Sequence, residues 1–200
     1  MTIMDVRTKL IHIAFNEIYH NGYQGTGLNQ ILEKAELTKG ALYHYFKSKK
    51  ELALHAISEI LNKYIEFYWE KPLENSENPV DGLIDRIEKM PNSVTLDDFE
   101  FQIKYGCPLN NFIQEMAPID KDFSELLKEI YLRWGNSIDH ALERGIEKGF
   151  LQQDIESSRV AFFITAAIEG CILNGKIFNS SENLVEGLRQ LVNYINSLRV

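Results

Sequence analysis

Apolar side chains return every three or four positions through almost all of this 200-residue chain. No stretch alternates apolar and polar residues in the two-residue rhythm of a half-buried strand. A three-to-four spacing sets one apolar stripe along each helix and obliges that stripe to pack on another helix. The pattern therefore predicts an all-α protein of nine or ten helices. Asp5 can cap a first helix whose stripe is Val6, Leu10, Ile13, Ala14 and Ile18, ended by Asn21-Gly22. Thr26 can cap a short second helix with Leu28, Ile31, Leu32 and Ala35 on one face. Leu37-Thr38 makes a turn, and Thr38 can cap a third helix over residues 39–46. Ser48 and Glu51 have capping-box spacing and open a long fourth helix, expected to reach about Trp69 and to stop at Pro72.

Beyond it, Asn78-Pro79 opens a helix, and a further helix is expected from about Leu96 to Tyr105. Pro108 restarts a short one to Met116, Asp120 caps a long one to Lys148, and residues 157–178 and 182–198 form the last two. No run approaches the apolar length that spans a bilayer, and no secretory leader is legible, so no membrane partner and a cytoplasmic location are expected. Cys107 and Cys171 stand 64 positions apart, which is neither a disulfide framework nor a metal-ligand spacing.

The net charge of −8 speaks at first against nucleic acid. Its distribution does not. Residues 1–52 hold seven Lys/Arg against five Asp/Glu, and residues 53–200 hold fourteen against twenty-four. A mildly basic head joined to an acidic body is the asymmetry of a protein that meets DNA with one end. The second and third helices, joined by so short a turn, have helix-turn-helix geometry, in which the second of the pair enters the major groove. Gly40 and Ala41 have almost no side chain, so the start of that helix can approach base edges and phosphates. Tyr43 and His44 offer a hydroxyl and an imidazole N–H, while Lys39, Lys47 and Lys49 offer phosphate contacts. Leu42 and Phe46, four apart, face the core.

Thr26, then Leu28 through Ala35, then Leu37-Thr38-Lys39-Gly40-Ala41-Leu42-Tyr43-His44-Tyr45-Phe46-Lys47-Ser48-Lys49 and Glu51-Leu52, resembles the N-terminal DNA-binding domain of the TetR family of transcriptional regulators. The match is dense over residues 5–52. Its departure is Glu36, where the family usually has glycine; a left-handed conformation there costs a non-glycine residue about 1 kcal/mol. The resemblance implies an all-α homodimer: a three-helix head, residues 1–52, on double-stranded operator DNA, and a body, residues 53–200, for effector binding and dimerisation. It places Thr26, Thr38, Lys39, Gly40, Ala41, Tyr43, His44 and Lys49 at DNA-contacting positions. Gly106-Cys107-Pro108-Leu109-Asn110-Asn111 resembles a Gly-Cys-x-x-Gly-Asn segment of one branch of the family, with Asn110 in place of the second glycine.

In the body, Phe99, Phe101, Tyr105, Phe112, Tyr131 and Trp134 lie on segments that could surround one small-molecule cavity, with Cys107 beside them, and the same residues also suit a helical core. Leu184, Leu188, Leu191, Ile195 and Leu198 follow steps of 4, 3, 4 and 3, a seam for another helix. Ala166, Ala167, Gly170 and Asn174 form a ridge of small residues on the helix before. Together these two helices are expected to make an isologous four-helix dimer interface. Cys107, between Gly106 and Pro108, stands at a helix N-terminus, where the dipole favours a thiolate. It can be a sensor of oxidants or electrophiles, or an inert buried thiol. Glu17 and His20 have the Glu-x-x-His spacing of helical di-iron sites, but a single copy holds no such centre. No catalytic motif, metal set or cofactor motif is legible. The expected function is a DNA-binding transcriptional regulator, a repressor released by a small apolar or aromatic ligand; the alternatives are a Cys107-based redox regulator and a helical ligand-binding protein without DNA affinity.

Overall fold

The chain's first helix, α1 (Val6–Asn21), starts where Asp5 accepts hydrogen bonds from the Thr8 backbone N–H at 3.0 Å and the Thr8 hydroxyl at 2.7 Å. It stops at Gly22, whose φ of 78° turns the chain away while its N–H still reaches the Ile18 carbonyl. The computed structural model describes residues 5–92, 95–96 and 99–200, the side chains of residues 92–100 excepted. Ten α-helices lie among the described residues, in keeping with the all-α expectation: α1, α2 (Leu28–Ala35), α3 (Lys39–Tyr45), α4 (Lys49–Tyr64), α5 (Lys71–Glu74), α6 (Pro79–Lys89), α7 (Pro108–Met116), α8 (Lys121–Glu147), α9 (Ser157–Phe178) and α10 (Ser181–Ser197). Their caps are the ones the sequence offers. Asn78 accepts from the Val80 and Asp81 N–H groups, and Asp120 from those of Asp122 and Phe123.

Two segments depart from expectation. The helix expected over residues 96–105 does not form: a two-residue strand β1 (Thr95–Leu96) pairs with β2 (Phe99–Glu100), and turns lead to Gly106. Thr95 and Phe99 favour extended backbone, and Gly106 takes a φ of 75° that no helix accommodates. The fourth helix is α-helical only to Tyr64 and then widens into a π-helical stretch, Ile65–Glu70, in which the Lys71 N–H reaches back to the Glu66 carbonyl. Pro72 gives the reason. It has no N–H for the Tyr68 carbonyl four residues back and its ring presses on that oxygen, so the widened turn ahead of it relieves the clash.

The chain divides into two compact units. The first comprises Met1–Lys63, Asp97–Phe99 and Pro108–Ile130. Leu10, Ala14 and Ile18 of α1, Ile31 and Ala35 of α2, and Leu42, Phe46 and Leu52 are all buried in it. Phe112 of α7 also belongs to this core, meeting the Phe15 ring edge-on at 5.9 Å. The second unit comprises Tyr64–Leu96, Glu100–Cys107 and Tyr131–Val200. There the stripe read as a dimer seam has a different destination. Leu184, Leu188, Leu191 and Ile195 are buried within the subunit itself, where α10 packs on α9 and α6. Each such leucine contributes roughly 1.5–3 kcal/mol to this core. The two helices approach so closely that a Cβ on Gly187 would lie 2.7 Å from the Cys171 sulfur.

By length and apolar content alone, α9 is long enough to cross a membrane. Its apolar residues are spread around its circumference. Val160, Ile164, Ile168 and Ile172 are buried, while Phe162, Leu173, Ile177 and Phe178 are exposed. Of the residues expected on the ridge, Gly170 and Asn174 are exposed and Ala167 is half-buried.

Candidate nucleic-acid interface

Everything that holds α3 in place lies on its inner side. Leu42 and Phe46 anchor it in the core, and the Thr38 hydroxyl caps it by accepting from the Ala41 N–H at 3.3 Å. Ser48 and Glu51 then start α4: the Ser48 hydroxyl accepts from the Glu51 N–H, and the Glu51 carboxylate reaches back to the Lys47 N–H at 2.6 Å. The capping box thus closes one residue further out than the simple motif. Arg7 and Glu59 tie α1 to α4 with two hydrogen bonds, and the Arg7 guanidinium sits 5.7 Å from the centre of the Phe46 ring. Beneath α2, the Glu17 carboxylate is buried and hydrogen-bonded to Gln30 and Lys34. That contact gives Glu17 a structural role.

The outer side of α3 is spent on nothing internal. Thr38, Lys39, Gly40, Tyr43, His44 and Lys47 are exposed, and Ala41 is half-buried. Tyr43 shows 52% of its surface, far above what an unpartnered tyrosine in a packed head requires. Tyr45, which the sequence leaves open, is also exposed, with its ring against His44 at 4.8 Å. Gly40 is informative by what surrounds it. A Cβ built there would have one neighbour, the Thr38 hydroxyl oxygen at 3.8 Å. Nothing in the subunit needs a glycine at that position.

Two residues expected at DNA contacts make bonds within the subunit. The Thr26 hydroxyl is buried and donates to the Gly22 carbonyl at 2.7 Å, stitching the α1–α2 turn. Lys49 donates from Nζ to the Tyr23 carbonyl at 2.5 Å and lies 4.2 Å from the centre of the Tyr23 ring. Burial pulls its ammonium below the ordinary lysine value.

Sequence reasoning missed the partners of that turn. Glu115 of α7 accepts from the Tyr23 N–H at 2.9 Å and the Gln24 N–H at 2.8 Å. The Tyr23 ring packs on Phe123 of α8 at 4.8 Å. Lys50 bridges to Asp120 at 2.8 Å and Asp122 at 2.7 Å, which raises its pKa and lowers that of Asp120. The α1–α2 turn is therefore clamped from α4, α7 and α8 within one unit. Nothing local announces a glutamate that bonds 92 positions away.

The expected ligand pocket is only partly assembled. Tyr131 and Trp134 meet edge-on at 5.9 Å, and Trp134 lies 5.7 Å from Trp69, a residue the sequence reading left out. Phe101, Tyr105 and Cys107 are half-buried in the same unit. Phe112 belongs to the first unit, where its ring meets Phe15. The Phe99 side chain lies outside the described residues. Among the described residues no cluster of histidine, cysteine and carboxylate side chains could hold a metal.

Residues 10–56 match the family described as bacterial regulatory proteins, tetR family. Residues 84–191 match the tetracyclin repressor-like C-terminal domain. The regulator YxaF of Bacillus subtilis is 30% identical over 170 residues, 84% of each chain. A regulator from the lacX 3′ region of Lactococcus lactis is 30% identical over 129 residues, 64% of each chain. The crystal structure of reduced Escherichia coli NemR superposes with a TM-score of 0.83 at 22% identity, covering 98% of both chains. The fold and the helix-turn-helix define a DNA-binding transcriptional regulator. The chain belongs to the TetR family.

Proposed function

We propose that the protein is a homodimeric repressor that holds a palindromic operator through two copies of α3 and lets go when a small apolar or aromatic molecule binds. The division of labour is between residues 1–52, which read DNA, and residues 53–200, which bind the effector and pair the subunits. The observation that carries this reading is the outer face of α3, where Gly40 leaves unoccupied space between Lys39 and Tyr43. The exposed apolar stripe of α9, with Phe162 68% and Ile177 64% exposed, supports a second copy as partner, because a patch of this kind on a monomer marks an interface.

The aromatic cluster of Trp69, Tyr131 and Trp134 supports the effector site. α8 carries Asp120's cap, Phe123 and Trp134 along one continuous helix, so a ligand that favours another setting of α8 acts on the clamp around Tyr23. A hundredfold preference for that setting supplies about 2.7 kcal/mol, enough to shift a balanced switch.

The test is fluorescence anisotropy with labelled DNA from upstream of the protein's own gene. Specific binding lost in Tyr43→Ala and His44→Ala supports the reading; wild-type affinity in both variants refutes it. Cys107 supports a second reading. Half-buried and in no disulfide, it directly precedes α7, the helix that carries Glu115. If only thiol-reactive compounds release DNA, and Cys107→Ser abolishes the response, the cysteine is the sensor.

A further inference from the structure

The second unit contains both tryptophans of the chain, and they are hydrogen-bonded differently. Trp69 is bonded to Tyr64, its indole N–H donating to the phenol oxygen. Trp134, 5.7 Å away and only 5% exposed, has an indole nitrogen with no acceptor among the described residues. A buried donor left this way costs about 1–3 kcal/mol, so it persists where something else completes it.

A buried water there would need two to four polar partners. Three polar groups near Trp134 are already engaged. The Tyr131 hydroxyl is on the Thr165 hydroxyl at 3.3 Å, the Thr165 hydroxyl donates to the Phe162 carbonyl at 2.9 Å, and Trp69 is on Tyr64. The Trp134 N–H itself stands among aromatic rings. Charge narrows the class further: the Glu169 carboxylate acts on Tyr64 through space and disfavours an anion in the same neighbourhood.

We infer that Trp134 is the polar anchor of the effector site, and that the effector is a neutral, largely aromatic molecule presenting one hydrogen-bond acceptor, such as a carbonyl oxygen, to the Trp134 N–H. This rests on the reading of residues 53–200 as an effector-binding domain, and it adds the group that selects the ligand. A site built to donate a hydrogen bond rejects an isostere that lacks the acceptor, because the donor is then buried unpaired.

Acetophenone and α-methylstyrene make that comparison, since they differ only in C=O against C=CH2. Binding of each to the full chain is measured without DNA by tryptophan fluorescence. The expected result is at least tenfold tighter binding of acetophenone. In Trp134→Phe that preference should vanish while α-methylstyrene affinity stays within twofold. Equal binding of the two by the wild-type chain, binding of neither, or a preference that survives in Trp134→Phe each overturns the inference. If Trp134→Phe does not fold, the wild-type chain labelled with 15N at indole still answers. One of its two indole resonances should move downfield with acetophenone and not with α-methylstyrene, and identical responses overturn the assignment. Operator release is then measured separately. A ligand preference without release refutes the regulatory reading and leaves the site standing; release by both compounds alike refutes the site and leaves the regulator.

Discussion

Gly40→Ala separates what the fold needs from what DNA needs. The position is the second residue of α3, and a Cβ there meets its nearest neighbour at 3.8 Å, an ordinary contact. Alanine therefore brings no strain to the free protein and removes part of glycine's entropy cost, a gain of about 0.5–1 kcal/mol in a helix. For a chain of this size that is a rise of roughly 1–4 °C in Tm. On the operator the same methyl occupies the space through which the helix N-terminus approaches the duplex. The expected loss is about 1–3 kcal/mol, the scale of one groove contact. Stability and affinity should thus move in opposite directions. The assay is paired: thermal unfolding of the free protein, and anisotropy titration on the operator at fixed salt. A destabilised variant would mean that Gly40 is needed by the fold. A stabilised variant with wild-type affinity would mean that α3 does not approach DNA by this end.

Other perturbations follow from the same geometry. Leu188→Glu buries a charge in the subunit core and should unfold the second unit, whereas Phe162→Glu with Ile177→Glu should give a folded monomer by sedimentation that no longer binds operator. Glu115→Ala removes both acceptors for the Tyr23 and Gln24 N–H groups, so it should weaken operator binding while circular dichroism stays unchanged; full affinity would show that the clamp does not set the head. Lys49→Ala should leave the salt slope of DNA binding near its wild-type value and lower stability instead, whereas Lys39→Ala should reduce the slope by about one unit. The Asp120 and Glu59 carboxyls have lowered pKa values because Lys50 and Arg7 hydrogen-bond to them. A depressed carboxyl pKa stabilises the fold above its unfolded value. That contribution is complete at neutral pH and disappears as the pH falls through about 4 and below, so urea midpoints should drop there and Asp120→Asn should flatten the drop.

Much of the architecture was legible because helices announce themselves locally. Asp5, Asn78 and Asp120 start helices where their side chains can reach free N–H groups, and Gly22 ends one where a positive φ is needed. Glu36 does adopt the left-handed conformation, at φ 55° and ψ 40°, so the turn keeps its shape without the usual glycine. What periodicity cannot say is which surface a stripe meets. Leu184 to Ile195 describe one face of α10, and a face buried against α6 and α9 has the same spacing as one buried against a second subunit. Lys49 illustrates a related point. A lysine beside a recognition helix can reach a phosphate or a carbonyl, and the choice was made by Tyr23, whose position depends on Glu115 and Phe123 far along the chain.

Because Leu184, Leu188, Leu191 and Ile195 are consumed inside the subunit, the hydrophobic core of each protomer closes without help from a partner. An obligate dimer ties unfolding to protein concentration, since its subunits have no stable fold apart. That burial predicts that folding and association are separable steps. On dilution the thermal midpoint should fall only as far as a plateau set by the folded monomer, whereas operator affinity should go on collapsing. In a cell with few copies, the scarce species would then be the assembled pair of reading heads rather than the folded chain, and operator occupancy would vary with the square of subunit number.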